Sequence, residues 1–161
     1  MRRPSGRFAV ALGAIVVLGA ALRWFHLDDQ SVWFDEASSL TLSQLPLGDL
    51  LQSFRHPAAG QPLELNPPVY FVILHGWLRA FGAGGLQARL LSAAAGVLSL
   101  PLLYLLGRGL FDAGTGLRAA LILAVSQLGV MYSQEARSHE LVLLFSLATA
   151  YCFHIARTRH Q

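Results

Sequence analysis

The sequence predicts an all-α fold, a polytopic bundle of transmembrane helices. Of the 161 residues, 54% are hydrophobic and only 13% are charged, which is not typical of a soluble domain. The apolar residues are grouped in long uncharged runs, the usual pattern of membrane-spanning segments of about 20 residues. The twelve basic residues are all arginine and are scattered, so no basic stripe indicates a nucleic-acid partner.

We expect one membrane domain over residues 1–161, with four or five crossings and one outer loop. The predicted crossings are 8–27, 68–86, 89–107, 118–134 and 140–157, and the loop is 28–66. The count is open because the second segment could cross or insert only partly. Two prolines before its long apolar run favour a crossing. Four crossings would instead place Arg108, Arg118, Arg157 and Arg159 all inside, as the positive-inside rule prefers.

The N-terminal segment is interpreted as a retained helix. Arg2, Arg3 and Arg7 precede the first apolar run, which also fits a signal peptide. The run is long enough to cross, however, and more membrane segments follow it. The three arginines then predict a cytoplasmic N-terminus in an integral protein of the cell (plasma) membrane, with residue 28 onward emerging outside.

The outer loop has a composition of its own. Six of the nine acidic residues lie between positions 28 and 66. Phe34, Ala37, Leu40 and Leu45 recur at roughly helical spacing, which predicts a short helix lying on the bilayer surface. A second such helix is predicted over Leu47–Phe54, after Pro46.

The first candidate site is the carboxylate pair Asp35 and Glu36, which directly follows Trp33 and Phe34. Acids beside hydroxyls and aromatics at a membrane surface suit a catalytic centre. The alternative is structural, since acids in the first turn of a helix interact favourably with the helix dipole.

The second candidate site is the polar stretch between the last two apolar runs, which contains Glu135, Arg137, His139 and Glu140. On a helix, Glu135 and His139 would share one face and Arg137 and Glu140 another. An ordinary interhelical turn with a local ion pair would explain the same residues. Charges near membrane segments are costly, so we expect this cluster to join Asp35 in one polar site, with Arg137 suited to a phosphate.

Other motifs give little support to a cofactor. Several histidines and acids could be assembled into a metal site, but no recognised ligand spacing is present, so the cofactor is unknown and a divalent metal stays open. These residues are His26, His56, His75 and Glu64, with Asp35 and Glu36. Nucleotide-binding glycine loops and hydrolase nucleophile elbows are absent from the sequence.

In their order, these features resemble the N-terminal part of the membrane glycosyltransferases that use polyprenyl-phosphate-linked sugars. This GT-C class includes protein O-mannosyltransferases, aminoarabinose transferases and related family-39-like bacterial proteins. The similarity covers roughly residues 10–157. Its motifs are 31–36 after the first helix, 66–71 with 75–82, 88–92 leading to 101–104, and 132–137.

The resemblance implies an inverting sugar transfer to an acceptor hydroxyl, on a lipid or glycan, at the outer membrane face. Asp35 would be the general base, and Glu36 would orient the acceptor or a metal. Arg89 or Arg137 would neutralise the phosphate of the lipid-linked donor. The remaining residues that we place in the substrate site are Asn66, Glu135 and His139. The expected partners are the polyprenyl-phosphate donor and membrane lipid.

The chain departs from the family pattern in several ways. His139 replaces a usual aromatic residue and Gln127 a frequent proline. Family members are also much longer, so we expect this chain to be a truncated gene, a fragment or half of a split enzyme, needing a complementing C-terminal chain for activity. A non-catalytic scaffold or lipid-binding protein is the main alternative, but a scaffold has no need for Asp35 and Glu36. A small transporter is a third alternative, but it would need ionisable residues in the middle of its helices, and the uncharged runs offer few.

Overall fold

Eight α-helices form the structure, a computed structural model that describes residues 6–29, 31–55 and 68–159. The prediction of an all-α membrane bundle is confirmed. In chain order the helices are α1 Gly6–Trp24, α2 Phe34–Gln44, α3 Leu47–Arg55, α4 Pro68–Phe81, α5 Gly85–Leu110, α6 Ala113–Val125, α7 Gln127–Ser133 and α8 His139–Arg159.

Three of these helices, α1, α5 and α8, are long and apolar enough to cross a membrane. A fourth crossing is available if α6 and α7 count as one span, since together they also pass this test. Among them α5 is central, because α1, α6 and α8 all pack against it. Its glycines allow close approach: a Cβ on Gly107 would lie only 2.9 Å from the Cα of Gly116 in α6.

The segment predicted to cross at 68–86 is shorter than expected. Its helix ends at Phe81, where Gly82 takes a positive φ of 108° that favours glycine. Fourteen residues of helix span about 21 Å, less than the roughly 30 Å of a bilayer core. The Trp77 indole N–H donates to the carbonyl of Gln87 at 2.7 Å, so the end of α4 packs beside the start of α5. By length and composition, the described helices provide three candidate crossings, or four if α6 and α7 count as one, and α4 is not among them.

The segment predicted as one helix over 118–134 is broken. It bends by 59° between α6 and α7, and Ser126 caps α7 by accepting a hydrogen bond from the Gly129 N–H at 3.3 Å. The carbonyls of Leu123 and Ala124, freed at the break, accept from the Arg23 guanidinium at 3.1 Å each. Sharp bends in helices arise where a side chain enters the backbone hydrogen-bond ladder, and here that side chain comes from α1.

The two short helices predicted in the outer loop are confirmed as α2 and α3. Helices α2 and α4 pack on the first half of α5, α3 packs on α4, and all four share an apolar core. That core comprises Leu50, Tyr70, Phe71, Leu74, Leu78, Ala88, Leu91, Ala95, Ala136 and Leu141. Since Ala136 lies within the second polar cluster and Leu141 directly follows it, this core brings the two candidate clusters to the same end of the bundle.

Candidate functional site

The adjacent acids Asp35 and Glu36 occupy the first turn of α2, as predicted, but face different surroundings. Consecutive helical residues are about 100° apart around the axis, so neighbours point to different sides. The Asp35 side chain is 48% exposed, whereas Glu36 is 1% exposed. The pair therefore consists of one accessible carboxylate and one internal carboxylate.

Glu36 forms a buried, bidentate ion pair with Arg89 of α5. The Arg89 Nε donates to Oε1 at 2.9 Å and Nη2 donates to Oε2 at 2.6 Å, while the Ala136 N–H donates to Oε1 at 2.8 Å. Burial by itself raises the pKa of Glu36, but the hydrogen bonds from Arg89 and Ala136 outweigh it and hold the pKa below its ordinary value. Glu36 is thus an internal anion that joins α2, α5 and the chain before α8.

Arg89 makes further contacts that hold the chain between α1 and α2. Its guanidinium also donates to the carbonyls of Leu27 at 3.1 Å and Ser31 at 3.2 Å. The residue is 2% exposed. The structure therefore places this predicted phosphate ligand inside the fold, against Glu36.

Only part of the second cluster is helical, since Glu135 and Arg137 lie in a connection whereas His139 and Glu140 begin α8. Residues 134–138 form a bent connection between α7 and α8. The Arg137 side chain extends from this connection to α2, where its guanidinium donates to the Asp35 carboxylate. Glu140 is buried near Arg23. The predicted approach of Asp35 and Arg137 is confirmed. The helical faces considered for these residues do not form, because Glu135 and Arg137 precede the start of α8.

Glu135 and His139 flank the Asp35–Arg137 pair. Burial raises the pKa of the Glu135 carboxyl, although interactions with His139 and Arg137 oppose the shift. The negative charges of Glu36 and Asp35 also raise this pKa. The exposed His139 ring packs against Tyr132 with 4.6 Å between ring centroids.

Among the other candidates, His26 and His75 contact different residues, and three lie outside the described part of the chain. Asn66, His56 and Glu64 lie outside the described residues. His26 contacts Asp29, and His75 Nδ1 lies 2.9 Å from the Ser43 carbonyl oxygen. Within the described ranges, no three histidine, cysteine or acidic side chains gather as a metal ion would need.

An apolar groove adjoins the site and was not predicted. It encloses about 750 Å³ between the start of α4 and the outer face of α8. Ser138, next to Arg137, lines one part, and Leu141, Phe145, Thr149 and Phe153 continue it along α8. Their regular spacing of four residues is the sequence signal that could have indicated a continuous helical face. Through Ser138, the groove reaches the residue that follows Arg137 in the chain.

Comparison with known proteins agrees with the resemblance drawn from the motifs. The family model for dolichyl-phosphate-mannose-protein mannosyltransferase matches residues 65–161, more than half of the chain. No curated protein and no solved structure matches the chain. The match includes Arg89, Arg137 and the α8 face of the groove, whereas Asp35 and Glu36 precede it.

Replacing Glu36 by glutamine should strongly destabilise the fold, because it leaves the Arg89 charge buried without its counter-ion. Loss of one partner from a buried ion pair typically costs about 3–5 kcal/mol. Unfolding of purified Glu36→Gln in detergent, followed by circular dichroism, measures this. The matched control is Asp49→Asn, which removes an exposed acid from the first turn of α3. Equal stability of Glu36→Gln and wild type would contradict the assignment.

The same ion pair predicts an acid dependence of stability. Because the pKa of Glu36 is lowered in the fold, its contribution is present above the ordinary carboxyl pKa and is lost as pH falls through the folded pKa. We therefore expect acid to narrow the stability gap between wild type and Glu36→Gln. Unfolding curves recorded from neutral pH downward test this, and a gap that widens in acid would be inconsistent with it.

Proposed function

The chain belongs to the dolichyl-phosphate-mannose-protein mannosyltransferase family, and we propose that it serves the transfer of a sugar from a polyprenyl-phosphate donor to an acceptor hydroxyl, on a lipid or glycan, at the outer face of the membrane. The observation that carries this proposal is the contact between Asp35 and Arg137, next to Ser138 of the apolar groove. It supplies a candidate base and a candidate phosphate ligand beside a surface suited to a lipid chain.

Asp35 is proposed as the general base. Its carboxylate is accessible and can take the acceptor O–H proton while the acceptor oxygen bonds to the anomeric carbon. The bond from that carbon to the phosphate oxygen breaks at the same time, and the lipid phosphate leaves with its electron pair. Attack from the side opposite the phosphate inverts the anomeric centre.

Arg137, rather than Arg89, is proposed to bind the donor phosphate. Arg89 is buried against Glu36, whereas the Arg137 side chain is partly exposed beside the groove. An arginine can hold phosphate through two parallel hydrogen bonds, and a phosphate competes directly with a carboxylate for them. Donor binding would thereby draw Arg137 from Asp35 and free the carboxylate to accept a proton.

The neighbouring residues are given supporting roles. Glu36 is proposed as a positioning residue, because it fixes the first turn of α2 that contains Asp35. Glu135 and His139 would contact the hydroxyls of the sugar or acceptor, and Asn66 is assigned to the same substrate site on the resemblance alone. The prenyl chain would lie along the α8 face of the groove.

Asp35→Asn should abolish transfer while the protein stays folded, because the amide preserves shape but cannot accept the proton. Loss of a general base costs about 10²–10⁴-fold in rate. Transfer of labelled sugar from polyprenyl phosphate is measured in membranes expressing the gene as it occurs in its genome, so any downstream coding region is included. Asp49→Asn is the matched control. Undiminished transfer by Asp35→Asn would remove the base and favour a non-catalytic scaffold.

Arg137→Gln should chiefly weaken donor use, seen as a higher KM for the polyprenyl-phosphate sugar. Arg137→Lys should restore only part of it, since lysine keeps the charge but not the two-pronged hydrogen bonding. Arg79→Gln, which changes an exposed arginine at the end of α4, is the control. If Arg137→Gln leaves KM and kcat unchanged, the phosphate is bound elsewhere.

We further propose that the N-terminus is cytoplasmic in the plasma membrane. The helix order places the start of α1, the α5–α6 connection and the end of α8 at the end of the bundle opposite the site. This end contains Arg7, Arg108, Arg118, Arg157 and Arg159, as the positive-inside rule expects of a cytoplasmic face.

Cysteine labelling tests this orientation in a Cys152→Ser background. A membrane-impermeant maleimide should label Gly48→Cys in intact cells, because α3 lies at the outer end and a side chain there meets open space. Arg157→Cys, exposed at the other end, should label only after permeabilisation. The reverse pattern would invert the topology.

A further inference from the structure

A buried polar cluster inside the bundle stands apart from the exposed Asp35–Arg137 pair. At its centre is Arg23, which is fully buried in the last turn of α1. Its Nε donates to the Ser133 hydroxyl at 3.0 Å, and its Nη atoms donate to carbonyls at the end of α6. A buried guanidinium is costly unless its donors are satisfied, and α6 and α7 supply the acceptors.

Glu140 supplies the negative charge of this cluster. It is 2% exposed, and its Oε2 has no hydrogen-bond partner among the described residues. Arg23 is its electrostatic counterpart. Both charges converge on Gly96 of α5: a Cβ built there would lie 2.9 Å from Arg23 Nε, 2.9 Å from Glu140 Oε2 and 2.4 Å from Ser133 Oγ. Any side chain at position 96 would therefore displace the cluster.

The cluster holds both ends of the connection that contains Arg137. Ser133 is the last residue of α7, and Glu140 lies in the first turn of α8. Near the first end, the Gln134 amide donates to the carbonyl of Phe25 at 2.9 Å, just beyond α1. In the middle, the Ser92 hydroxyl donates to the Arg137 carbonyl at 3.3 Å.

We propose that Arg23, Glu140 and the space left by Gly96 are positioning elements that set Arg137 against Asp35. None of them touches the exposed pair. They fix the connection from its ends, as the Glu36 bond to Ala136 fixes it near its centre. The expected effect on sugar transfer rests on the proposed function. The expected effect on the position of Arg137 does not.

The structural part is tested by cross-linking, which needs no substrate. In a Cys152→Ser background, a short bis-maleimide should join Asp35→Cys to Arg137→Cys in membranes. Adding Gly96→Ala should abolish the cross-linked product, because the new methyl group displaces the polar cluster. Gly13→Ala, where an added Cβ meets nothing within 4 Å, should leave the yield unchanged.

Glu140→Gln is a second variant that adds no bulk. It tests the positioning of Arg137 even if Gly96→Ala does not fold. It keeps the side-chain shape but removes the charge opposite Arg23, so it too should reduce the cross-linked product. The inference would be overturned if both variants cross-linked as fully as the parent protein. If Gly96→Ala does not fold, full cross-linking in Glu140→Gln would overturn it. Neither outcome depends on which reaction the protein serves.

The activity part is tested by a double-mutant cycle. A displacement of about 1 Å in a site can cost about 10²-fold in rate, so Gly96→Ala should reduce sugar transfer by up to about that factor. In an Arg137→Gln background it should cause no further loss, because its effect passes through Arg137. A fully additive loss would indicate a general effect on folding and would contradict a positioning role. If Gly96→Ala loses the cross-link but the wild-type protein shows no sugar transfer, only the proposed function is contradicted.

Discussion

The ion pair between Glu36 and Arg89 is the constraint on which the packing of α2 beside α5 depends. Once both groups are buried, neither can be removed without leaving an isolated charge in an apolar setting. The pair fixes the rotation of α2 about its axis, because Glu36 must point inward. The same rotation leaves Asp35 outward, beside Arg137. A structural requirement on one carboxylate thus determines the exposure of its neighbour.

Arg23 applies the same physics within the membrane bundle. A broken helix leaves carbonyls without partners, and lipid offers no water to satisfy them. Arg23 satisfies two of them and also holds Ser133, so the bend between α6 and α7 becomes tolerable. The broken helix in turn ends α7 early enough for residues 134–138 to leave helical geometry and turn toward α2.

The sequence predicts those parts of this structure that depend on local pattern. Uncharged runs indicate the helices, and the cost of charge near a membrane correctly brings Asp35 and Arg137 together. Other features depend on contacts between distant residues. Whether 118–134 is continuous depends on Arg23, and Asp35 and Glu36 have the same chemistry until the rotation of α2 distinguishes them. The end of α4 depends on a local feature, since Gly82 takes a positive φ directly after Phe81.

The separation of structural from accessible charges also bears on how a lipid phosphate could be received. A phosphate needs a cation that can move, and Arg89 and Arg23 are both held by several backbone and side-chain acceptors. Arg137 instead pairs with the partly exposed carboxylate of Asp35. Exchanging this carboxylate for a phosphate costs less where both anions are partly hydrated. Of these three arginines, Arg137 is the one whose acidic partner is accessible, and under the proposal it exchanges that partner for the phosphate. On this argument the proposed chemistry depends on rigidity around Arg137 as much as on Arg137 itself.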